Sequence, residues 1–295
     1  MEAAQYRGRL GRGSRGCKDG WVTSDSGSAL QRSSQLTTFI LAPNPGPMSL
    51  DGTNSYVLRA PGQSAAVVVD PGPLDERHLT ALARAGAVEL ILVTHRHADH
   101  TAGSARLHDL TGAPVRAADP NHCHGGGEPL AHGEVIRAAG LEITVVAAPG
   151  HTSDSVCFHL PADGPNGSVL TGDTILGRGT TVLDYPDGTL GGYLASLDRL
   201  EALGPATVLP AHGPVLPSLA AVARDYRAHR EERLAQIRAV LDRLGRDASV
   251  VEVADAVYAD VGPSVRRAAE LSVAAQLSYL RGDGGGQAAT AGTVG

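Results

Sequence analysis

The chain has 295 residues, enough for one large domain or two smaller ones, and its 42% hydrophobic and 19% charged residues exclude wholesale disorder. Three cysteines at wide spacing exclude a disulfide framework and favour a reducing compartment, so we expect a cytoplasmic protein. A net charge of −6 provides no overall attraction for polyanions, and no apolar run reaches the length of about 18 residues that indicates a membrane helix, so we expect no membrane partner.

The predicted elements begin after a tail. Residues 1–36 are rich in Gly, Ser and Arg and show no periodicity, which predicts a disordered segment. Short apolar runs then alternate with helical patterns, and the nearly continuous apolar run at 88–93 is typical of a strand covered on both faces. Strands are predicted at 39–41, 56–58, 66–70, 88–93, 114–117, 141–147, 155–160, 168–171 and 206–209, and helices at 79–85, 101–111 and 190–203.

The last part of the chain changes character. Residues 218–244 have helical spacing, and two shorter helices are predicted at 250–258 and 264–280 with a tight turn between them. This pattern indicates a small winged-helix-like module. The predicted organisation is a disordered tail at 1–36, a catalytic domain at 37–217, a linker helix with the winged-helix-like module at 218–282 and a second disordered tail at 283–295.

A cluster of histidines follows the apolar run at 88–93. His95, His97, Asp99 and His100 fall within six positions, a density that chance rarely produces. Neutral imidazole and carboxylate oxygen are both accepted zinc ligands. Because side chains splay in a turn that leaves a strand, His95 and His97 can face one metal ion while Asp99 and His100 face a second.

Three more ligand-type residues follow predicted strands. His151, Asp173 and His212 each lie just beyond the end of a strand and are flanked by Gly or Pro. Loops at strand ends converge on one rim of a sheet sandwich. Together with the first cluster, these residues can complete two metal spheres.

The order of these segments resembles the metallo-beta-lactamase superfamily over residues 40–215. The resemblance implies an α+β fold, a four-layer αβ/βα sandwich with a binuclear metal site at one edge. By position it implies His95, His97 and His151 as ligands of the first metal, Asp99, His100 and His212 as ligands of the second, and Asp173 as the bridging carboxylate. It also implies that Asp70 supports the metal loop, and we expect Asp70 and Thr94 to hold the imidazoles in the right tautomer.

A closer resemblance is to the beta-lactamase-like protein 2 group of hydrolases, from residue 45 to residue 282. It rests on residues 52–56, 172–177 and 179–182, on Tyr193, Ser196 and Leu197, and on the winged-helix-like module. One animal branch of that group is associated with endoribonuclease activity, which leaves RNA as a candidate substrate.

These features predict a hydrolase that depends on two zinc ions, with manganese or iron as alternatives. A hydroxide bridging the two ions would attack an ester, a thioester or a related acyl bond. Asp99 is the predicted catalytic residue, because it would bind metal and also orient the attacking water.

Two other functions stay open at this point. One is an endoribonuclease that cleaves single-stranded RNA, and the other is a DNA-binding regulator that uses the C-terminal module. Residues 41–214 contain 9 Lys+Arg and 18 Asp+Glu, and residues 215–295 contain 10 of each, whereas nucleic-acid binding needs a basic footprint. We therefore expect a small-molecule substrate rather than RNA. No pattern in the sequence indicates the substrate contacts or the oligomeric state.

Overall fold

Two mixed β-sheets form the centre of the fold. The computed structural model describes residues 29–259 and 262–282. The first sheet contains, in spatial order, β1 (Gln31–Arg32), β2 (Thr37–Leu41), β3 (Asn54–Leu58), β4 (Ala65–Val69), β5 (Ala87–Leu92) and β6 (Val115–Arg116). The second contains β11 (Thr207–Pro210), β10 (Ser168–Gly172), β9 (Val156–Leu160), β8 (Leu141–Ala147) and β7 (Val135–Ala138). The strands β4, β5 and β6 are parallel, as are β10 and β11, and the other pairs are antiparallel.

Helices pack on the outer faces of both sheets, and further helices follow at the C-terminal end of the described residues. They are α1 (Glu76–Ala83), α2 (Ala98–Thr101), α3 (Ser104–Thr111), α4 (Leu190–Glu201), α5 (Leu219–Leu244), α6 (Val250–Val257) and α7 (Pro263–Arg281). The side chains of Asp75 and Thr189 cap the first turns of α1 and α4 by accepting a main-chain N–H, which explains where these helices begin. Within residues 29–259 and 262–282, no helix is both long and apolar enough to cross a membrane.

The apolar core is divided into layers. One cluster lies between the two sheets and includes Val67 and Val69 of β4 and Ile143 of β8. A second cluster, with Val68 of β4, lies between the first sheet and the helices α1 and α3, and a third lies between the second sheet and the helices α4 and α5. Successive side chains of a strand point to opposite faces, so β4 serves two layers at once. The arrangement is the predicted α+β sandwich.

The start of the chain differs from the prediction of a disordered tail at 1–36. Residues 1–28 lie outside the described residues, but β1 pairs with β2 in an antiparallel ladder. The buried carboxylate of Asp163 accepts hydrogen bonds from the Ser34 hydroxyl and from the main-chain N–H of Leu36. The prediction was therefore wrong for residues 31–36. Ser34 and Leu36 gain a partner that lies 129 and 127 positions away, respectively, which no local pattern reveals.

The C-terminal helices share a small core of their own. Ile237 of α5, Val253 of α6 and Val273 of α7 belong to one apolar cluster, while Ala275 of α7 joins the cluster beneath the second sheet. The described residues of this part form helices and no β-strand, so the winged-helix-like prediction is not confirmed. The predicted tail at 283–295 lies outside the described residues, and the domain boundary at residue 217 stays a prediction.

Candidate metal centre

Every predicted site residue lies just beyond the end of a strand. Asp70 follows β4, residues 94–100 follow β5, His151 follows β8, Asp173 follows β10 and His212 follows β11. Strands β4 and β5 are parallel, and β8, β10 and β11 run in one direction because two antiparallel steps restore the direction of the chain. The carboxyl ends of these strands therefore lie at one edge of each sheet.

Hydrogen bonds join the two sheets at this edge. The main-chain N–H of Val156 in the second sheet donates to the carbonyl of Thr94 beyond the first sheet, at 2.8 Å. The Tyr56 hydroxyl of β3 donates to the carbonyl of Pro210 at the end of β11, at 2.9 Å. These bonds bring the loops of the two sheets together, and with them all seven predicted metal ligands.

Three imidazoles form what we call the first group: His95, His97 and His151. Their nitrogen atoms converge, with His95 Nε2 at 3.1 Å and His151 Nε2 at 3.0 Å from His97 Nδ1. Two nitrogens that each lie 2.0–2.1 Å from a tetrahedral zinc ion are about 3.3–3.4 Å apart. The spacing of the first group is therefore close to that of ligands around one ion.

The second group consists of Asp99, His100 and His212. Asp99 Oδ2 lies 3.3 Å from His212 Nε2 and 3.6 Å from His100 Nε2. Asp173 stands between the groups, with Oδ1 at 3.3 Å from His212 Nε2 and Oδ2 at 3.7 Å from His151 Nε2. One carboxylate is thus within reach of both groups, as the bridging position requires.

Each imidazole has one nitrogen that faces the cluster, which we call inward, and one that faces away from it, which we call outward. The outward nitrogen of each ring has a partner of its own. The pairs are His95 Nδ1 with Thr94 Oγ1 at 3.1 Å, His97 Nε2 with Asp184 Oδ2 at 3.1 Å, His100 Nδ1 with Asp70 Oδ2 at 2.9 Å, His151 Nδ1 with the Val182 carbonyl at 2.6 Å and His212 Nδ1 with the Gly52 carbonyl at 3.1 Å. Carbonyls and carboxylates accept, so the outward nitrogens carry the proton. Thr94 Oγ1 also accepts, because it donates its own proton to Asp70 Oδ2 at 2.7 Å. In each neutral ring the inward nitrogen therefore presents a lone pair to the cluster.

Inward-facing atoms of the cluster fit a cation. His100 Nε2, His212 Nε2 and Asp173 Oδ1 are buried and have no hydrogen-bond partner among the described residues. Buried polar atoms nearly always have a partner, and a cation held between these atoms would provide one. A donor set of five imidazoles and two carboxylates suits zinc and similar divalent ions, so the residues present fit two metal ions.

The two groups differ in their electrostatics. Burial lowers the pKa of His95 and of His151, the former well below its usual value, which keeps these rings neutral. Burial also opposes a charge on His100, but Asp70 and Asp173 outweigh it and raise the pKa of His100 to about 10. The pKa of His212 is likewise raised, against burial, chiefly by Asp173. The second group thus attracts positive charge more strongly than the first.

Asp70 connects the strand edge to both groups. Its carboxylate, only 2% exposed, accepts from the main-chain N–H and the hydroxyl of Thr94 and from His100 Nδ1. Its φ is 53°, a left-handed conformation that Asp adopts more readily than most residues. The contacts of Asp70 and Thr94 are those expected of residues that hold the imidazoles in their tautomers.

A glycine allows Thr94 to lie where it does. Gly172, directly before Asp173, has a φ of 50°, and a Cβ at this position would lie 2.7 Å from Thr94 Oγ1. A side chain there would displace the hydroxyl that bonds both Asp70 and His95. The close approach of β10 to the loop after β5 therefore requires glycine.

Sequence reasoning missed the partners of three rings. Asp184, the Val182 carbonyl and the Gly52 carbonyl hold His97, His151 and His212, respectively, and all three partners belong to loops. Gly52 and Val182 lie in segments that carry the resemblance, 52–56 and 179–182, but no periodicity or motif around Asp184 indicates a role for that residue.

Comparisons with known proteins agree with this architecture. The sequence profile of the metallo-beta-lactamase superfamily matches residues 48–212. Lactamase-like protein vrtG of Penicillium aethiopicum is 32% identical over 255 residues, which are 79% of this chain and 76% of that protein. The beta-lactamase-like protein 2 homolog of Caenorhabditis elegans is 31% identical over 267 residues, 86% of this chain and 87% of that protein. Lactamase-like protein nscB of Trichophyton equinum is 32% identical, and the alignment covers 69% of this chain but 60% of that longer relative.

Solved structures share the fold. A beta-lactamase domain protein from Burkholderia ambifaria aligns with a TM-score of 0.72 at 22% identity, over 89% of this chain and 91% of that one. A metallo-beta-lactamase family protein from Thermus thermophilus aligns with a TM-score of 0.67 at 22% identity, over 84% and 94%. The profile match spans more than half of the chain and the relatives exceed 30% identity over most of it, so the chain belongs to the metallo-beta-lactamase superfamily.

Proposed function

We propose that the protein is a hydrolase that uses two divalent metal ions, zinc in the first instance, to cleave an ester, thioester or related acyl bond. The observation that carries the proposal is the cluster of seven donor side chains, whose inward atoms lie 3.0–3.7 Å from a neighbour while every outward ring nitrogen is already bonded. The first group would hold one ion, the second group the other, and Asp173 would reach both. Manganese or iron are the alternatives that the same donor set allows.

The metal ions would supply Lewis acidity and a water of lowered pKa, and so a nucleophile at neutral pH. The protein's own contribution centres on Asp99. Although burial would raise its pKa, the nearby imidazoles of His212 and His100 hold that pKa well below its usual value, so the side chain stays ionised. The carboxylate is 31% exposed and can accept a hydrogen bond from the attacking water. Its main chain is fixed by the Thr53 hydroxyl, which donates to the Asp99 carbonyl at 3.1 Å.

The charges of the chain favour an acyl substrate over RNA. The regular arginines of α5 are engaged within the protein: Arg224 with Glu201, Arg227 with Asp198, Arg230 with the Thr181 carbonyl and Arg233 over the ring of Tyr258. Arg266, near the start of α7, pairs with Asp255 and Glu270, both at 2.7 Å. A phosphate-binding surface needs cations that are free to replace counterions. Because these arginines are already engaged within the protein, they do not support the ribonuclease or the DNA-binding alternative.

The test combines metal analysis with a substrate panel. Purified protein should contain close to two equivalents of metal, and it should hydrolyse chromogenic esters or thioesters faster than phosphodiesters or labelled RNA. An Asp173→Asn variant should lose activity, whereas His132→Ala, at an exposed histidine outside the two groups, should keep it. One metal equivalent or none after reconstitution, or cleavage of RNA without acyl hydrolysis, would overturn the proposal.

A further inference from the structure

His97 differs from the other four imidazoles of the cluster. Its side chain is 30% exposed, whereas those of His100 and His212 are fully buried and that of His151 is 5% exposed. It also faces the cluster with Nδ1, while its neighbours in the first group face it with Nε2. Packing alone therefore restrains this ring less than the others, and its orientation needs another support.

The support is a carboxylate on the loop before α4. Asp184 Oδ2 accepts from His97 Nε2 at 3.1 Å and from the guanidinium of Arg96, the residue next to His97. Arg96 also donates to Asp187 Oδ2, at 3.1 Å. A ring flip of His97 would put Cε1 in the place of Nε2 and Cδ2 in the place of Nδ1, and would break the bond to Asp184.

The same network reaches the loop that carries His151. Asp187 accepts from the main-chain N–H of Ser153 at 2.8 Å and from the Ser153 hydroxyl at 2.7 Å. The main-chain N–H of Asp184 donates to the carbonyl of His151 at 2.9 Å. Residues 184–187 thus join the segments of two rings of the first group that lie 54 positions apart.

We propose that Asp184 is a positioning residue that holds His97 with Nε2 protonated and Nδ1 directed at the first metal site, and that Arg96 and Asp187 hold Asp184 in place. The metal part rests on the proposed function, but the fixed tautomer is a property of the metal-free protein. Partners that orient a metal-binding histidine commonly contribute a factor of about 10–100 in metal affinity. Because the second group does not contact Asp184, the effect should fall on one ion of the two.

The experiment compares Asp184→Ala, Asp184→Asn and the control Asp198→Ala, which removes an exposed carboxylate of α4 that pairs with Arg227 of α5. Chelator competition measures the affinity of each metal ion. We expect Asp184→Ala to lower the affinity for one metal ion about 10–100-fold and to leave the affinity for the other nearly unchanged. Asp184→Asn keeps an oxygen acceptor for Nε2 and should restore much of the loss, and Asp198→Ala should resemble the wild type.

A second measurement does not depend on metal. In ¹⁵N-labelled metal-free protein, His97 should give an Nε2–H resonance protected from solvent exchange, and Asp184→Ala should abolish that protection. The inference is overturned if Asp184→Ala binds both ions as tightly as the wild type does, or if its affinity falls equally for both ions. It is also overturned if the protected His97 Nε2–H resonance persists in Asp184→Ala. Should the wild type itself bind fewer than two ions, the proposed function fails, while the resonance still decides the role of Asp184.

Discussion

The two donor groups of the cluster are supported in different ways. In the second group, His100 and His212 are fully buried, and their outward nitrogens bond the Asp70 carboxylate and the Gly52 carbonyl. In the first group, the loop at 182–184 provides the partners of both His151 and His97, and the latter ring is 30% exposed.

The difference shows how one site combines rigidity with access. The two imidazoles of the second group are buried, face carboxylates and have raised pKa values, so they attract cations but must release protons to bind them. In the first group, burial keeps His95 and His151 neutral, so these two rings bind without that proton cost, and the orientation of His97 depends on a few side-chain contacts with a loop. The free energy of unfolding should therefore respond to Asp70, which supports the buried His100, whereas Asp184, which supports the partly exposed His97, should affect metal affinity alone.

The largest effect is expected for Asp70→Ala, because Asp70 serves both groups through His100 and Thr94. The change leaves buried donors without an acceptor, so the free energy of unfolding should fall by about 3 kcal/mol and both ions should be lost. Denaturant unfolding and metal analysis measure the two effects. Asp70→Asn keeps one acceptor oxygen and tolerates the φ of 53°. Its free energy of unfolding and its metal content should therefore lie between those of the wild type and of Asp70→Ala. A stable, fully metallated Asp70→Ala protein would remove the distinction between the groups.

Asp99→Ala should abolish most of the activity without unfolding the protein. Asp99 is partly exposed and belongs to the second group. Its loss should therefore lower the affinity for one metal ion and remove the acceptor for the attacking water. We expect a fall in kcat/KM of at least about tenfold, or roughly 1.4 kcal/mol in the barrier, with a change in unfolding free energy below about 0.5 kcal/mol. Asp109→Ala, an exposed aspartate on α3, is the control. Activity above a tenth of the wild type would contradict the role of Asp99.

The pH dependence of metal binding should separate the groups. In the metal-free protein the pKa of His100 is raised to about 10, so this ring carries a proton throughout the range from pH 8 to pH 6.5. A metal ion must displace that proton, and its affinity should fall about tenfold for each unit of decreasing pH for each proton displaced. The pKa values of His95 and His151 are lowered, so an ion in the first group displaces no proton from these two rings. Calorimetric titrations in buffers of different ionisation enthalpy count the released protons, and equal counts for both ions would contradict the comparison.

The candidate ligands could be predicted from the sequence because each one carries a local signature. Residues 94–100 leave a buried strand as a run of imidazoles and a carboxylate, and His151, Asp173 and His212 follow strands beside Gly or Pro. Most strands and helices were found for the same reason, since their apolar spacing is local. The strand β7, Val135–Ala138, was missed because its burial alternates but its hydrophobicity does not: the exposed Val135 is as apolar as the buried Ile136.

The supports of the ligands were decided by tertiary structure. Asp184 lies 87 positions from His97, and the carbonyl of Gly52 lies 160 positions from His212. Every residue offers a main-chain carbonyl, so no residue type marks the one that a distant imidazole will use. The sequence by itself thus determined which side chains can bind metal, whereas only the folded chain decided which nitrogen of each ring faces the metal site, because that choice depends on the acceptor brought to the other nitrogen.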